Sequence, residues 1–335
     1  MNYKLFGKSG LRVSELCLGT MTFGTEWGLG ADYETSKSVF DLFAYAGGNF
    51  IDTANRYTEG TSEKWVGEFI HADRDHFVVA TKYTLWDKRD DPNFSGNHRK
   101  NMMRSVEASL KRLNTDYIDL FWVHAWDNTT PEEEILRGLD DLVRQGKVHY
   151  IGISDTPAWL VSRMNTMAEL RNWTAFVGLQ IEYSLIQRTP ERDLLPMAKA
   201  LGLAVTPWGA IAGGALTGKY LKGDNGRVPE HSIRRNERSN WIAKEVVKIA
   251  EGMGVSPAAL VIQWTRQRDQ TIIPIIGARR AAQLEDSMAC LSLTIPEKEL
   301  SELAEISKIE IGFPHDFLIS AKDVIFGGTQ DRITR

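Results

Sequence analysis

Short apolar runs alternate with amphipathic stretches along most of this chain. The apolar runs are rich in β-branched and aromatic side chains, a composition typical of strands that are buried on both faces. We predict eight such strands, at 16–18, 50–52, 77–81, 118–123, 148–153, 176–180, 203–206 and 271–275. Apolar residues at helical spacing predict helices near 34–46, 62–70, 98–112, 131–144, 157–170, 190–201, 237–252 and 256–268, with another near 280–290.

This alternation predicts an α/β fold, because parallel strands of one sheet are joined by right-handed helical crossovers. Eight strand–helix units fit a closed (β/α)8 barrel, the TIM barrel, better than an open doubly wound sheet. The segment at about 3–13 reads as a β-hairpin with a Gly-rich turn. Because no Gly/Ser-rich linker divides the chain, we predict a single domain over 1–335.

Three segments lack a regular hydrophobic pattern, at 83–97, 208–236 and 307–335. The first two follow predicted strands and should form long loops at the C-terminal face of the barrel, and the third is a C-terminal tail. Two helix starts, Thr130-Pro131 and Ser256-Pro257, place a hydroxyl side chain at the predicted N-cap before a proline.

Four polar residues lie at or just beyond the ends of predicted strands. Asp52 closes the second strand, Lys82 follows the third and His124 follows the fourth. Tyr57 lies in the segment that follows Asp52. An ionisable side chain at the end of a buried strand is costly unless it has partners. Because strand ends converge at the C-terminal face of a barrel, we expect these side chains to form one site.

These residue types suit proton transfer to a carbonyl oxygen. A tyrosine has an ordinary pKa of about 10, and a nearby lysine cation lowers that pKa by stabilising the phenolate. A carboxylate can orient the lysine, and a neutral histidine can donate a hydrogen bond to the substrate. Such a set protonates the carbonyl while another group delivers hydride to its carbon. Taken singly, Asp52 could instead be a helix cap and His124 a core histidine.

Composition excludes several classes of protein. The chain has 335 residues, 42% of them hydrophobic, which is enough for a substantial core. Its net charge of −4 is unclustered, so neither nucleic acid nor a membrane surface is expected as a partner. Its two cysteines form no disulfide framework. Since no signal-like N-terminus or long apolar run occurs, we expect a cytoplasmic protein, either a monomer or a homo-oligomer.

Several motifs, in order along the chain, resemble the aldo-keto reductase superfamily. They lie at 19–24, 52–57, Lys82, His124, 146–155, 179–184 and 208–220, and the resemblance covers about 3–290. The superfamily includes bacterial-type reductases and potassium-channel β-subunit-like members. The resemblance implies a (β/α)8 barrel with a hairpin cap and extra helices, and reduction of a small-molecule aldehyde or ketone with NADP(H).

The resemblance also assigns catalytic roles to the four strand-end residues. Tyr57 is the implied proton donor, and Lys82 is implied to lower its pKa. Asp52 is implied to orient Lys82, and His124 to bind and orient the carbonyl.

The implied NADP(H) site needs no Rossmann or Walker A motif, and the chain has neither. By the resemblance, Trp208 stacks on the nicotinamide, while Ser154, Asp155 and Gln180 contact its carboxamide. The remaining implied contacts are Gly19, Thr20, Met21 and Asp52 beside the cofactor, Gly209, Ile211, Gly213, Gly218 and Lys219 in the Gly-rich loop, and Gly277, Arg279, Arg280, Gln283 and Asp286 on the adenosine half.

Two positions depart from the family pattern. Asp155 stands where asparagine is usual, and an ionised aspartate can only accept hydrogen bonds with its side chain. Asp286-Ser287 replaces the usual Glu-Asn. Arg279 or Arg280, at a predicted helix start, either binds a 2′-phosphate or forms part of an exposed arginine pair.

The sequence leaves alternatives open for the substrate and for the class of function. Trp27, Trp86 and Trp126 follow predicted strands, and they either line an aromatic pocket for apolar or aromatic carbonyls or anchor their loops. One alternative function is a catalytically weak, cofactor-binding regulatory subunit of the same family, against which the complete tetrad argues. Another is a metal-dependent hydrolase, against which the lack of a strand-end His-x-His or carboxylate cluster argues.

Overall fold

Eight parallel strands form a nearly closed barrel in the computed structural model, which describes residues 1–223, 226 and 228–334. An antiparallel hairpin, β1 (Tyr3–Leu5) and β2 (Arg12–Ser14), precedes it. The barrel strands are β3 (Cys17–Gly19), β4 (Phe50–Asp52), β5 (Val78–Tyr83), β6 (Ile118–Val123), β7 (Val148–Ser154), β8 (Gly178–Glu182), β9 (Ala204–Trp208) and β10 (Ile275–Ile276). The predicted (β/α)8 barrel and its hairpin are confirmed.

The barrel closes through an interrupted last strand. The sequence predicted this strand at 271–275, but Ile272 forms only an isolated bridge to Val205 of β9, and β10 then pairs with β3. Pro274 lies between the two pairings and has no amide hydrogen to donate to a ladder. Its carbonyl accepts a 3.0 Å hydrogen bond from the amide of Cys17, so this segment contacts both neighbouring strands.

Helices surround the barrel and continue beyond it. The predicted helices are present as α1 (Tyr33–Tyr45), α2 (Thr61–Ile70), α3 (Arg99–Leu113), α4 (Glu132–Arg144), α5 (Ala158–Arg171), α6 (Leu194–Leu201), α7 (Glu237–Met253), α8 (Pro257–Gln267) and α9 (Ala281–Met288). Three others were not predicted: α10 (Glu297–Ile306), α11 (His315–Ser320) and α12 (Lys322–Phe326). In the described part of the chain, no helix is long and apolar enough to cross a membrane.

One of the two predicted helix caps is confirmed and the other is wrong. Ser256 accepts a 3.0 Å hydrogen bond from the amide of Ala259, as expected of an N-cap. By contrast, α4 begins one residue later than predicted, with Pro131 at the N-cap position. The Thr130 hydroxyl instead donates to the carboxylate of Asp127 at 2.7 Å.

Aromatic side chains fill part of the barrel interior. Phe6, just after β1, is fully buried and packs against Phe50 and Trp122, with ring centroids 5.5 and 6.3 Å away. Two glycines make room for these rings. A Cβ at Gly152 would lie 2.3 Å from the Trp122 ring, and one at Gly178 would lie 2.6 Å from Phe6. The end of the hairpin is therefore part of the barrel core.

Replacing Phe6 by alanine should lower the free energy of unfolding by about 3–5 kcal/mol, the usual cost of removing a large buried aromatic side chain. The neighbouring Leu5 is 60% exposed, so Leu5→Ala is a matched control that leaves the core intact. Chemical denaturation followed by circular dichroism measures both effects. Equal losses for the two variants would contradict the packing role of Phe6.

Candidate active site

A fully buried lysine lies among the polar residues at the strand ends. Lys82 Nζ lies 2.5 Å from Asp52 Oδ2, 2.8 Å from the carbonyl oxygen of Thr53 and 3.1 Å from the hydroxyl of Tyr57. The parallel pairing of β4 with β5 brings Asp52 close to Lys82, and the 3-10 turn after β4 carries Tyr57. Three residues of the predicted tetrad are therefore in direct contact.

Lys82 is a cation at neutral pH despite its burial. Burial alone would lower its pKa, because charge is disfavoured away from water. The Asp52 carboxylate and the Tyr57 hydroxyl outweigh this effect and raise the pKa of Lys82 above its ordinary value. The charge needed to act on the phenol is therefore present.

Tyr57 begins a short 3-10 turn, Tyr57–Gly60, beyond the end of β4. Burial raises the pKa of its hydroxyl, Lys82 lowers it and Asp52 raises it, with a net pKa above 10. Lys82 acts in the direction that the sequence predicted, but the pKa is raised overall. Burial is the largest effect, and residue types alone do not reveal its size. Tyr57 is therefore protonated at neutral pH.

His124 follows β6 and completes the group. Its ring meets the Tyr57 ring edge to face, with centroids 6.0 Å apart. Burial and the charge of Lys82 lower the pKa of His124 well below 6.5, so its imidazole is neutral at neutral pH. Its Nδ1 is buried and has no hydrogen-bond partner within the described residues.

Gln180 makes a contact that the sequence did not predict. Its Nε2 donates a 2.9 Å hydrogen bond to Oδ1 of Asp52, whose other carboxylate oxygen accepts from Lys82. Partners from β5 and β8 thus fix both oxygens of this carboxylate. The sequence predicted Gln180 only as a contact of the cofactor carboxamide, because a hydrogen bond across the barrel leaves no sequence pattern.

The ends of β7, β8 and β9 bring together the residues predicted to contact a nicotinamide. Ser154 is the register partner of Gln180, and Trp208 is that of Glu182. The Ser154 hydroxyl is buried, and no described residue makes a hydrogen bond to it. Asp155 follows with a φ of 43°, in the left-handed region that residues other than glycine seldom adopt.

Asp155 holds its proton more tightly than an ordinary aspartate. The surrounding protein desolvates the carboxyl and raises its pKa to about 6, even though the residue as a whole is exposed to solvent. A hydrogen bond from Trp208 opposes this rise, the charge of Glu182 adds to it and that of Lys82 opposes it. Asp155 therefore exchanges its proton closer to neutral pH than most carboxyl groups.

The long loop after β9 is anchored by an arginine that sequence reasoning missed. Arg234 donates to Oε1 of Glu182 from Nε, at 3.0 Å, and from Nη2, at 2.6 Å. Its guanidinium lies 5.6 Å from the centre of the Trp208 ring. No local pattern identifies this pair, because the two residues are 52 positions apart.

The predicted contacts within this loop lie on a series of tight turns. The backbone φ is positive at Gly209, Gly213 and Gly218, a conformation that glycine adopts without strain. Lys219 folds back on the loop, so that a Cβ added at Gly214 would lie 2.6 Å from its Nζ. Ile211 packs against the core.

The residues predicted beside the cofactor at β3 border the tetrad. A Cβ at Gly19 would lie 2.6 Å from the side chain of Ile275, so the chain passes closely here. The hydroxyl of Thr20 donates to the backbone carbonyl of Asp52 at 3.0 Å. Met21 is half-buried.

The predicted adenosine contacts surround the start of α9. Arg280 occupies the N-cap position of this helix, and the Arg279 amide donates to the side chain of Gln283 at 3.0 Å. Arg279 is half-buried, whereas Gly277, Arg280, Gln283 and Asp286 are exposed. The two guanidinium groups are therefore accessible to a ligand.

The model of the aldo/keto reductase family matches residues 15–308. The chain belongs to the aldo/keto reductase family. It is 38% identical to norsolorinic acid reductase from Aspergillus flavus, over 94% of this chain and 83% of the relative. It is also 38% identical to aryl-alcohol dehydrogenase (NADP(+)) from Phanerodontia chrysosporium, over 91% of this chain and 86% of the relative. The family predicted from the motifs is confirmed, and these relatives support an oxidoreductase.

In this aldo/keto reductase, two of the three tryptophans predicted to line a pocket lie near one another. The Trp27 ring meets that of Tyr57 edge to face, with centroids 6.5 Å apart. Trp27 and Trp86 both lie beneath the guanidinium of Arg56. Trp126 packs against the core and against Trp159, with centroids 6.1 Å apart.

The Asp155 carboxyl should titrate with a midpoint near 6. Carbon-13 NMR of the side-chain carboxyl, assigned by comparison with Asp155→Asn, measures this midpoint. Asp32 is a matched control, because hydrogen bonds from Thr35 lower its pKa below the ordinary value. A midpoint near 4 for Asp155 would contradict the desolvation argued above.

The same pKa predicts a pH dependence of stability. An acid whose pKa is higher in the folded than in the unfolded chain binds its proton more tightly when folded, so stability falls as pH rises from about 4 through about 6. Asp155→Asn removes this effect. Its thermal midpoint relative to wild type should therefore be higher at pH 8 than at pH 4.5.

Proposed function

We propose that this chain is an NADPH-dependent reductase that converts aldehydes or ketones to alcohols, with Tyr57 as the general acid and residues 1–335 as one catalytic domain. The observation that carries the proposal is the buried contact of Lys82 with both Asp52 and Tyr57. A cation beside a protonated phenol suits proton donation, because it stabilises the phenolate that remains.

Residues of the chain itself donate the proton that the carbonyl oxygen receives. The raised pKa of Tyr57 keeps its hydroxyl protonated at neutral pH, ready to donate to a carbonyl oxygen. Lys82 then stabilises the phenolate, and Asp52 keeps Lys82 in place. A bound nicotinamide cofactor supplies the hydride that the carbonyl carbon accepts. His124, which is neutral, donates a hydrogen bond that orients the carbonyl.

The residues at the ends of β7 to β9 fit the nicotinamide end of such a cofactor. The unpartnered, buried hydroxyl of Ser154 needs a polar group of the kind that a carboxamide offers. Gln180 donates from Nε2 to Asp52, which leaves Oε1 to accept from the carboxamide NH2. Protonated Asp155 can donate as asparagine would, and ionised Asp155 can only accept. Trp208 supplies an aromatic face for stacking.

The remaining predicted contacts suit the rest of the dinucleotide. The tight loop of Gly209, Gly213 and Gly218 offers backbone amides and the Lys219 ammonium to a pyrophosphate. Arg279 and Arg280, at the start of α9, offer guanidinium groups to a 2′-phosphate. This charge favours NADP(H) over NAD(H), and it agrees with the cofactor that the Phanerodontia chrysosporium relative's name specifies.

Aromatic carbonyls are the substrates that the pocket supports best. Trp27 lies beside Tyr57, and the guanidinium of Arg56 lies over both Trp27 and Trp86. Flat indole faces contribute large apolar contact areas to a ring-bearing ligand. Two relatives are named for norsolorinic acid and for aryl alcohols, which supports the same class.

Tyr57→Phe should reduce carbonyl turnover by about 10²–10⁴-fold, the usual contribution of general acid catalysis. Binding of NADPH should change little. Consumption of NADPH at 340 nm with an aromatic aldehyde measures turnover, and fluorescence titration measures binding. Tyr83→Phe is a matched control, because this buried tyrosine is adjacent to Lys82 in sequence but donates to Asn97.

Near-normal reduction by Tyr57→Phe would mean that the acid is misassigned. Binding of NADPH by the wild type without reduction of any tested aldehyde or ketone would contradict the enzymatic proposal as a whole. That second result would favour a regulatory, cofactor-binding role.

Replacing both Arg279 and Arg280 by alanine should weaken NADPH binding by roughly tenfold to more than a hundredfold, because a charge-assisted hydrogen bond contributes about 1.5–3 kcal/mol. NADH binding should change little, since NADH lacks the 2′-phosphate. The exposed pair Arg163 and Arg171 on α5, replaced in the same way, is the control. Equal weakening for both cofactors would contradict a 2′-phosphate site.

A further inference from the structure

A stack of aromatic and cationic side chains stands beside Tyr57. The Arg56 guanidinium lies 3.8 Å from the centre of the Trp86 ring and 5.3 Å from that of Trp27. The guanidinium of Arg89 lies over the same Trp86 ring, at 4.6 Å. We call Trp27, Arg56, Glu59, Trp86 and Arg89 the tryptophan–arginine wall.

Glu59 fastens one side of this wall. Its carboxylate lies 2.6 Å from Nη1 of Arg56 and accepts a 3.2 Å hydrogen bond from Nε1 of Trp27. Glu59 has a φ of 56°, and the preceding Thr58 has a φ of 45°, both in the left-handed region. Such strain persists only where the surroundings enforce it, and it clusters at functional sites.

Two hydrogen bonds from Asn55 hold the other side of the tryptophan–arginine wall in place. Nδ2 of Asn55 donates to the backbone carbonyl of Leu85, at 3.2 Å, and to the carboxylate of Asp87, at 2.7 Å. These bonds join the loop after β4, which carries Arg56 and Tyr57, to the loop after β5, which carries Trp86. The wall therefore keeps a fixed position relative to the phenol.

The wall carries one more positive than negative charge. Arg56 and Arg89 contribute two cations, and the pKa of Glu59 is lowered chiefly by its ion pair with Arg56, so it contributes one anion. Nearby loop charges are balanced within their own pairs, Lys88 with Asp91 at 3.1 Å and Arg104 with Asp87 at 2.7 Å.

The excess charge is concentrated on Arg89. Arg56 is only 16% exposed and is neutralised by Glu59, whereas Arg89 is exposed and lies over Trp86. The neighbouring acids Glu26 and Asp90 are exposed as Arg89 is, so solvent and salt screen all three charges alike, and what distinguishes Arg89 is its contact with the Trp86 ring. Because the guanidinium groups of Arg56 and Arg89 lie over the Trp86 ring, this indole offers a ligand its edge, and Arg89 offers a fork of N–H donors beside it.

We propose that the tryptophan–arginine wall selects aromatic aldehydes or ketones that carry a carboxylate on the ring, with Trp86 contacting the ring and Arg89 binding the carboxylate. The inference rests on the proposed carbonyl reduction and adds a substrate class to it. Arg56 is a positioning residue, because it holds Trp27 and Trp86 at their spacing.

The test compares 4-carboxybenzaldehyde with the near-isosteric, neutral 4-formylbenzamide. In the wild type, kcat/KM should be about tenfold higher for the carboxylate, the effect of roughly one charge-assisted hydrogen bond. Arg89→Gln should bring the ratio near one by lowering the value for the carboxylate alone. Arg89→Lys should restore part of it, and added salt should reduce the wild-type ratio.

Arg137→Gln is the matched control, since Arg137 is also exposed and lies 5.7 Å over a tryptophan ring, that of Trp173, but on α4. It should leave the ratio unchanged. The thermal unfolding midpoint of each variant shows whether it is folded. Because Arg89 is exposed, its replacement should leave the fold intact.

The possible failures are distinguishable. Reduction of both aldehydes with a wild-type ratio near one would overturn this inference and leave the proposed function standing. A tenfold ratio that survives in Arg89→Gln would overturn the assignment to Arg89. Failure of the wild type to reduce either aldehyde, with NADPH bound, would overturn both the inference and the proposed function.

Discussion

The buried ion pair of Lys82 with Asp52 constrains the rest of the site. Lys82 is fully buried, so its charge is tolerated only because the carboxylate, a backbone carbonyl and the Tyr57 hydroxyl surround it. Removing one partner of a buried pair typically costs about 3–5 kcal/mol. Because the pKa of Lys82 is raised, the pair stabilises the fold at neutral pH, and this contribution is lost only as pH rises through the folded-state pKa.

Residues on or next to several barrel strands hold the Lys82–Asp52 ion pair in place. Asp52 is held through its side chain by Lys82 and Gln180, and through its backbone carbonyl by the amide and hydroxyl of Thr20, at 2.9 and 3.0 Å. These partners come from β5, β8 and the end of β3. Asp52 and Lys82 therefore lie on strands, and Tyr57 and His124 follow strand ends. The groups proposed to contact the cofactor phosphates and the substrate lie mainly on loops. Loops can vary in sequence without disturbing the charges around the phenol.

The sequence predicts the parts of this arrangement that leave a local pattern. The alternation of strands and helices predicted the barrel, and the polar residues at strand ends predicted that Asp52, Tyr57, Lys82 and His124 lie close together. Contacts across the barrel leave no such pattern, so the bond from Gln180 to Asp52 and the pair of Arg234 with Glu182 were missed. The last strand is interrupted at Pro274 because Ile272 pairs with β9 whereas β10 pairs with β3. The sequence does not show which strand each of these short segments pairs with. The raised pKa of Tyr57 depends on burial, which only the folded chain defines.

The groups around the Tyr57 hydroxyl shift its pKa in opposite directions. Burial is the largest influence on its pKa; Lys82 opposes that influence, while the carboxylates of Asp52 and Asp155 add to it. The pKa of Asp155 is about 6, so its charge changes within the physiological range. As pH rises through 6, ionised Asp155 makes the phenolate less favourable. The residue in the usual asparagine position thus couples its own ionisation to that of the Tyr57 hydroxyl, a coupling that a neutral amide cannot provide.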